Sequence, residues 1–103
     1  MSQRLYAGTL AELREHGRLV AGDKRLPVCV FLDEDGAPHA LDDRCPHMGS
    51  LLHLGEVRND LVVCHWHDAR FEIATGKSLD EFVDDVPSFA TEIDGDAVYV
   101  ILP

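Results

Sequence analysis

The sequence predicts an all-β protein, a small antiparallel sandwich or barrel of stacked sheets with one short helix. Seven to nine short segments have the period-two alternation or the short apolar run of a strand. Turn residues separate these segments at close intervals, a spacing typical of sandwiches and barrels. The length of 103 residues leaves room for one domain around one core, so we expect residues 1–103 to form a single domain.

The predicted helix covers residues 10–16. Thr9 and Glu12 have the spacing of a capping box, in which each side chain bonds the other residue's backbone N–H. Leu10 and Leu13 follow at helical spacing, and Gly17 is a stop signal.

Seven strands can be placed from the local pattern. Residues 33–36 and 94–96 have the composition of hairpin turns. Residues 42–56 contain one proline and two glycines and are expected to form a long loop. The pairing of the strands cannot be deduced from the sequence. The predicted strands are residues 18–21, 27–32, 37–41, 61–63, 70–73, 88–93 and 97–102.

Charge and hydropathy exclude several classes of partner. The net charge of −10 argues against nucleic acid or an anionic membrane. It suits a basic docking patch on another protein as well as it suits simple solubility. No stretch reaches the roughly 18–20 apolar residues of a membrane span, and the N-terminus lacks the apolar run of a signal peptide. We therefore expect a cytoplasmic protein.

The three cysteines do not suggest a disulfide framework, because their number is odd and this short chain shows no signal peptide. Cys29 lies in an apolar run with strand character, so we expect it to be a buried core thiol rather than a ligand.

Cys45 and Cys64 belong to two segments that carry the chemistry, Cys45-Pro46-His47 and Cys64-His65-Trp66-His67. They supply two mixed pairs of thiolate and imidazole, on two separate loops. Such pairs suit a two-iron, two-sulfide cluster in which one iron takes both thiolates and the other both imidazoles. Because imidazole is neutral, the site is less negative than with four thiolates and accepts an electron more easily, at about −150 to +300 mV. The pattern predicts an electron carrier.

Two other chemistries compete with this interpretation. Structural zinc sites usually pair Cys with Cys or His with His at characteristic spacings, and neither pair occurs here. A cysteine–histidine nucleophile is formally possible at Cys45 or Cys64. It would leave the second pair unexplained in a chain that is small for a hydrolase.

At these residues the sequence resembles the Rieske family, most closely the small Rieske-type ferredoxins of bacterial ring-hydroxylating dioxygenase systems. The likeness includes the segments 45–49 and 64–67 and continues through residues 69–72 and 75–76. The resemblance implies three stacked antiparallel sheets with one [2Fe-2S] cluster at the tip. It also implies that Cys45 and Cys64 bind one iron, and His47 and His67 the other.

Three departures from the family pattern bear on the reduction potential. Ser50 and Trp66 occupy the positions of the extra cysteines that form a disulfide in high-potential members. Ala69 replaces a serine that hydrogen-bonds a bridging sulfide in those members, so we expect a lower potential. Asp68 replaces a glycine, and aspartate tolerates a left-handed backbone better than most residues.

The segment after Gly76 also differs from the dioxygenase ferredoxins. Those tend to have a proline-containing loop that shields the cluster, and here Phe82 or Pro87 could provide the cover.

The remaining histidines have no ligand pattern. His65 is expected at the tip of its loop and His53 as a structural or exposed residue, whereas His16 and His39 belong to no motif.

These inferences predict a soluble, monomeric one-electron carrier, without catalysis of its own, that passes electrons from a flavin-dependent reductase to a terminal oxygenase. The alternative is a small Rieske subunit of a larger redox enzyme, such as an assimilatory nitrite reductase.

Overall fold

The computed structural model of the protein describes residues 3–46, 50–64, 68–81 and 83–103. Within these ranges it contains nine strands, one α-helix and one 3-10 turn at Leu52–Leu54. The helix is α1 (Leu10–His16). The strands are β1 (Gln3–Thr9), β2 (Arg18–Gly22), β3 (Pro27–Leu32), β4 (Pro38–Asp42), β5 (Glu56–Arg58), β6 (Leu61–Val63), β7 (Arg70–Glu72), β8 (Ser88–Asp94) and β9 (Ala97–Leu102).

All strand pairs are antiparallel and form two sheets. The larger sheet has the order β1-β9-β8-β4-β3-β2, and its edge strands β1 and β2 lie near each other, so it curls into a nearly closed barrel. The ladder between β8 and β4 is only two residue pairs long, Ala40 with Phe89 and Leu41 with Ser88. The sheet therefore bends there into two layers. The smaller sheet, β5-β6-β7, forms a third layer.

We call the layer β4-β3-β2, which lies between β1-β9-β8 and the small sheet, the middle layer. Its central strand β3 is buried on both faces, which explains the continuous apolar run of that strand. Val28 and Val30 point into the core between the two layers of the large sheet. Cys29 and Phe31 point the other way, into the core shared with the small sheet. This alternation follows from the period of two along a strand. The single core expected from the length is thus divided by the middle layer into two.

The predicted helix is confirmed at residues 10–16, with both hydrogen bonds of its capping box. The backbone N–H of Glu12 donates to Thr9 Oγ1 (3.1 Å), and the backbone N–H of Thr9 donates to Glu12 Oε1 (3.0 Å). Gly17 ends the helix in the left-handed region, with φ at 79°. The seven predicted strands and both hairpin turns are also present, with ends shifted by no more than a residue.

Two strands were missed by the sequence analysis. Strand β1 pairs with β9 at the opposite end of the chain, so no local signal marks it. Strand β5 begins at the last residue of the predicted loop 42–56, so the loop prediction was wrong for Glu56, and Val57 and Arg58 had been assigned to no strand. These three residues have charged ends and extend only because β6 pairs with them. No helix in the described ranges is long and apolar enough to cross a membrane.

Candidate metal centre

Cys45 begins a loop that a short ladder of backbone contacts closes at its base. The N–H of Leu52 donates to the carbonyl of Asp43 (2.6 Å), and Arg44 forms a β-bridge with Leu51. The N–H of Cys45 then donates to the carbonyl of Ser50 (2.6 Å). We call residues 45–50 loop 1.

Cys64 begins a second loop that is closed in the same way. Val63 pairs with Arg70 at the ends of β6 and β7, and the N–H of Cys64 donates to the carbonyl of Ala69 (2.8 Å). We call residues 64–69 loop 2. In both loops a cysteine N–H bonds the carbonyl five residues further on, so each thiol has the same place at the base of its loop. The other two predicted ligands, His47 and His67, lie outside the described residues, as do His65 and Trp66.

Both cysteines are buried in one apolar cluster. Cys45 is 2% exposed and Cys64 is fully buried, in the core between the middle layer and the small sheet. Thiolate ligands in a dry, apolar surround suit an iron–sulfur cluster, because the surrounding polarity tunes its potential. The other residues of this cluster are Cys29, Phe31, Leu41, Leu52, Val62, Ala69, Phe71, Ile73 and Val86.

Cys29 shares this core but behaves as the predicted core thiol. Its Sγ–H donates to the carbonyl of Leu41 (3.6 Å) within the middle layer. Burial, and then the neighbouring Asp43 carboxylate, raise the pKa of the Cys29 thiol far above its usual range. A thiol held in its protonated form is a poor metal ligand, because the thiolate is the species that binds.

Two contacts fix the loops relative to the sheets. Arg18 on β2 donates to the carbonyls of His53 and Gly55, the latter at 2.6 Å, and so ties the 3-10 turn to the middle layer. Gly55 also lies against the Val63 carbonyl, which a Cβ at position 55 would approach to 2.1 Å. Since Val63 precedes Cys64, this close approach connects the 3-10 turn that follows loop 1 to the start of loop 2.

A buried hydrogen-bonded pair at the base of loop 1 was missed by the sequence analysis. The Asp43 side chain accepts from the His53 backbone N–H (2.7 Å) and from His53 Nδ1 (2.5 Å). His53 is therefore a structural residue, one of its two predicted roles. No sequence signal joins these residues, because they are ten positions apart on either side of an irregular loop.

The departures from the family pattern fit the described geometry. Asp68 has φ at 54°, as expected for a position usually held by glycine. Ala69 is buried at 3% exposure. No disulfide joins the cysteines in the described part of the chain.

The segment after Gly76 is fastened to the base of loop 2. The Arg70 N–H donates to Asp80 Oδ2 (2.7 Å), and this bond contributes most to lowering the pKa of Asp80. The Leu79 N–H donates to the Arg70 carbonyl (3.0 Å). Pro87 is exposed, and its carbonyl accepts from the Asp42 N–H, whereas Phe82 lies outside the described residues.

The described residues contain only part of the predicted donor set. Across residues 3–46, 50–64, 68–81 and 83–103, no three His, Cys, Asp or Glu side chains are grouped closely enough to hold a metal ion. A zinc site built from these residues alone is therefore excluded. Two buried thiols at equivalent positions of two neighbouring loops are the half of the predicted donor set that these ranges contain.

Comparison with known proteins gives the same family. The model of the Rieske [2Fe-2S] domain family matches residues 5–90. Human apoptosis-inducing factor 3 is 37% identical over 73 residues, which are 69% of this chain and 12% of that protein. The chain thus corresponds to a small part of the length of this curated relative.

Solved structures share the fold over nearly the whole chain. The ferredoxin of carbazole 1,9a-dioxygenase from Nocardioides aromaticivorans has a TM-score of 0.83 at 23% identity, covering 95% of this chain and 96% of that one. A putative NADH-dependent nitrite reductase small subunit from Mycobacterium tuberculosis has a TM-score of 0.85 at 18% identity, covering 100% and 97%. The chain therefore belongs to the Rieske [2Fe-2S] domain family, whose cofactor is a two-iron, two-sulfide cluster.

Proposed function

We propose that the protein is a one-electron carrier of the Rieske ferredoxin type, with Cys45, His47, Cys64 and His67 as the cluster ligands. The observation that carries the proposal is the equivalent closure of loops 1 and 2. It delivers two buried thiols to one apolar core, each at the start of the segment that contains a candidate histidine.

In this proposal Cys45 and Cys64 hold one iron and His47 and His67 the other. When bound, the cluster supplies one chemical capability, the gain and loss of a single electron. The chain holds the ligands in a fixed geometry and keeps water from the sulfur end. Buried side chains on both sides of the loops, such as Leu52 and Phe71, support the second role.

We further propose that residues 1–103 act as a single, monomeric domain without a reaction of its own. The pairing of β1 with β9 supports the single domain, because the first and last strands of the chain close one sheet. A cytoplasmic location suits three cysteines without a disulfide, since the cytosol keeps thiols reduced.

The partners in this proposal are a flavin-dependent reductase, which supplies the electron, and a terminal oxygenase, which receives it. The fold shared with a dioxygenase ferredoxin supports them. The net charge of −10 would guide the protein to a basic patch on each partner, and the attraction would weaken as salt increases.

A second candidate is the small subunit of an assimilatory nitrite reductase. The end-to-end match to a putative small subunit of this kind favours it. Some such subunits lack cluster ligands, whereas this chain has all four, so we prefer the carrier. Stable co-purification with a large sirohaem or flavin subunit would reverse that preference.

Electron paramagnetic resonance of the dithionite-reduced protein tests the ligand assignment. Mixed nitrogen and sulfur ligation has its own spectrum, and we expect iron and acid-labile sulfide at about two each per chain. Replacing His47 or His67 by alanine should abolish the spectrum, and so should Cys45→Ser or Cys64→Ser.

Two substitutions serve as matched controls. His16→Ala removes an exposed imidazole on α1, and Cys29→Ala removes the third buried thiol. Both variants should keep the cluster. Colourless wild-type protein after anaerobic reconstitution, or an unchanged spectrum in His47→Ala, would contradict the proposal.

A further inference from the structure

Asp43 is a buried acidic residue that the electron-carrier mechanism does not use directly. Its side chain is 1% exposed, against 22% for its partner His53. A carboxylate is costly to bury without a partner, so its bonds to the His53 ring and backbone N–H are required for stability.

The backbone of Asp43 also holds the base of loop 1, through two hydrogen bonds. Its N–H donates to the Pro27 carbonyl at the start of β3 (2.9 Å), and its carbonyl accepts from Leu52 (2.6 Å). Cys45 follows two residues later, within about 7 Å along the chain. A charge at position 43 is thus both close to the proposed sulfur ligand and fixed in place.

Positive charges nearby do not neutralise this carboxylate. Arg44 turns outward and pairs with Asp42 (2.7 Å), and Arg18 donates to backbone carbonyls. Within the described ranges, no arginine or lysine forms an ion pair with Asp43. Its charge therefore acts on the core that contains Cys45 and Cys64, where the hydrogen bonds from His53 and the neighbouring Cys29 thiol attenuate it.

We propose that Asp43 and His53 are positioning residues that hold loop 1 and set a low reduction potential for the cluster. This inference rests on the proposed function. A fixed negative charge in an apolar surround disfavours the arrival of an electron. The hydrogen bonds that His53 donates spread part of the negative charge of the Asp43 carboxylate, and so they limit how far that charge lowers the reduction potential.

Substituting Asp43 and substituting His53 should shift the reduction potential in opposite directions. Asp43→Asn keeps an oxygen that accepts from the His53 N–H but removes the charge, so the potential should rise. His53→Phe keeps a ring but removes the Nδ1 donor, which leaves the carboxylate charge less compensated, so the potential should fall. At an effective dielectric constant of about 20 and a separation of about 10 Å, the Asp43→Asn shift is on the order of tenfold in the ratio of oxidised to reduced protein, about 59 mV.

Asp33 and His39 provide a matched control pair with the same chemistry. Asp33 lies in the turn that follows β3, and its Oδ2 is 2.7 Å from Nε2 of His39 on β4. Asp43 bonds the first residue of β3, so the two pairs lie at opposite ends of this strand, about 20 Å apart. At physiological ionic strength that distance exceeds the Debye length of about 8 Å. Asp33→Asn and His39→Phe should leave the potential unchanged.

The experiment is a redox titration of the four purified holoproteins and the wild type at one fixed pH, followed by circular dichroism and paramagnetic resonance. Iron content and thermal unfolding are measured on the same samples. A rise in Asp43→Asn and a fall in His53→Phe, with both controls unchanged, is the expected result. Shifts of equal sign, or no shift in Asp43→Asn, would overturn the inference, because a pair with a purely structural role gives those outcomes.

Two further outcomes are also decisive. If Asp43→Asn does not retain iron, His53→Phe alone decides, and a potential at or above that of the wild type overturns the inference. Loss of iron from both variants, with the controls intact, overturns it too. Failure of the proposed function is distinguishable, since the wild type would then lack the mixed-ligand spectrum.

Discussion

Replacing Gly55 by alanine tests whether loops 1 and 2 are held by one close contact. A Cβ at this position would lie 2.1 Å from the Val63 carbonyl oxygen and 3.2 Å from that of Leu52. Ordinary contacts begin near 3.4 Å, so the backbone must separate by about 1.3 Å. The neighbours are main-chain atoms on two sides, and a flexible side chain cannot absorb the movement.

The expected loss of unfolding free energy is an overpacking penalty minus a smaller gain from the restricted unfolded chain. Inserting a methyl group into a packed site costs about 1–3 kcal/mol. Alanine restricts the unfolded chain more than glycine does and returns about 0.4–1 kcal/mol. A net loss of roughly 1–2 kcal/mol lowers the melting temperature by about 5–15 °C in a domain of this size. Because Val63 precedes Cys64, iron content should fall as well.

Thermal unfolding by circular dichroism and iron per chain give the two readouts. Gly17→Ala is the control, because a Cβ there meets nothing within 4 Å and the cost comes only from φ at 79°. That variant should lose about 1 kcal/mol and keep its full iron content. If Gly55→Ala were as stable as the wild type and fully loaded with iron, loops 1 and 2 would not depend on this contact.

Three further predictions concern the reduction potential, the response to acid and the packing of the core. Ala69→Ser should raise the midpoint potential by tens of millivolts in a redox titration, because one hydrogen bond to the cluster is worth about 1 kcal/mol. Asp33→Asn should destabilise the protein at pH 7 but progressively less as pH falls below about 4, measured by urea unfolding. The His39 bond lowers the pKa of Asp33, so the wild type loses this stabilisation as the carboxylate protonates. Leu52→Ala should cost about 2–5 kcal/mol of unfolding free energy and Leu54→Ala less than about 1, since Leu52 is fully buried and Leu54 is 59% exposed.

Each of these three predictions has a result that would contradict it. For Ala69→Ser it is a midpoint potential at or below that of the wild type. For Asp33→Asn it is a stability difference from the wild type that is constant from pH 7 to 3.5. For the two leucine variants it is an equal loss of unfolding free energy.

Local signals made much of the fold predictable. The helix follows from the capping box at Thr9 and from Gly17, all within eight residues of one another. The turns at residues 33–36 and 94–96 likewise join strands that are adjacent in sequence and in space. In contrast, β1 extends because β9 pairs with it, and three-residue β5 has too little pattern to be detected.

The candidate site likewise contains residues that local sequence patterns indicate and residues that only distant contacts determine. The four proposed ligand residues could be named from the sequence because the chemistry requires particular residue types at short spacings, and Cys45 and Cys64 are the two that the described structure contains. The residues that support it are not predictable, because Asp43 meets His53 across ten positions and Arg18 meets the same turn across 35. Such contacts are set by the stacking of the sheets and leave no periodic trace in the sequence.

The absence of a disulfide between the two loops raises the question of what replaces it. Removing a native disulfide costs about 2–5 kcal/mol. Here Leu52, beside loop 1, and Val62 and Phe71, beside loop 2, are fully buried in the same core as both cysteines. Each such burial contributes about 1.5–3 kcal/mol, so any two of the three match the bridge. The shared apolar core therefore connects the bases of loops 1 and 2 without a covalent link, and the Ser50 position is free of the constraint that a cysteine would impose.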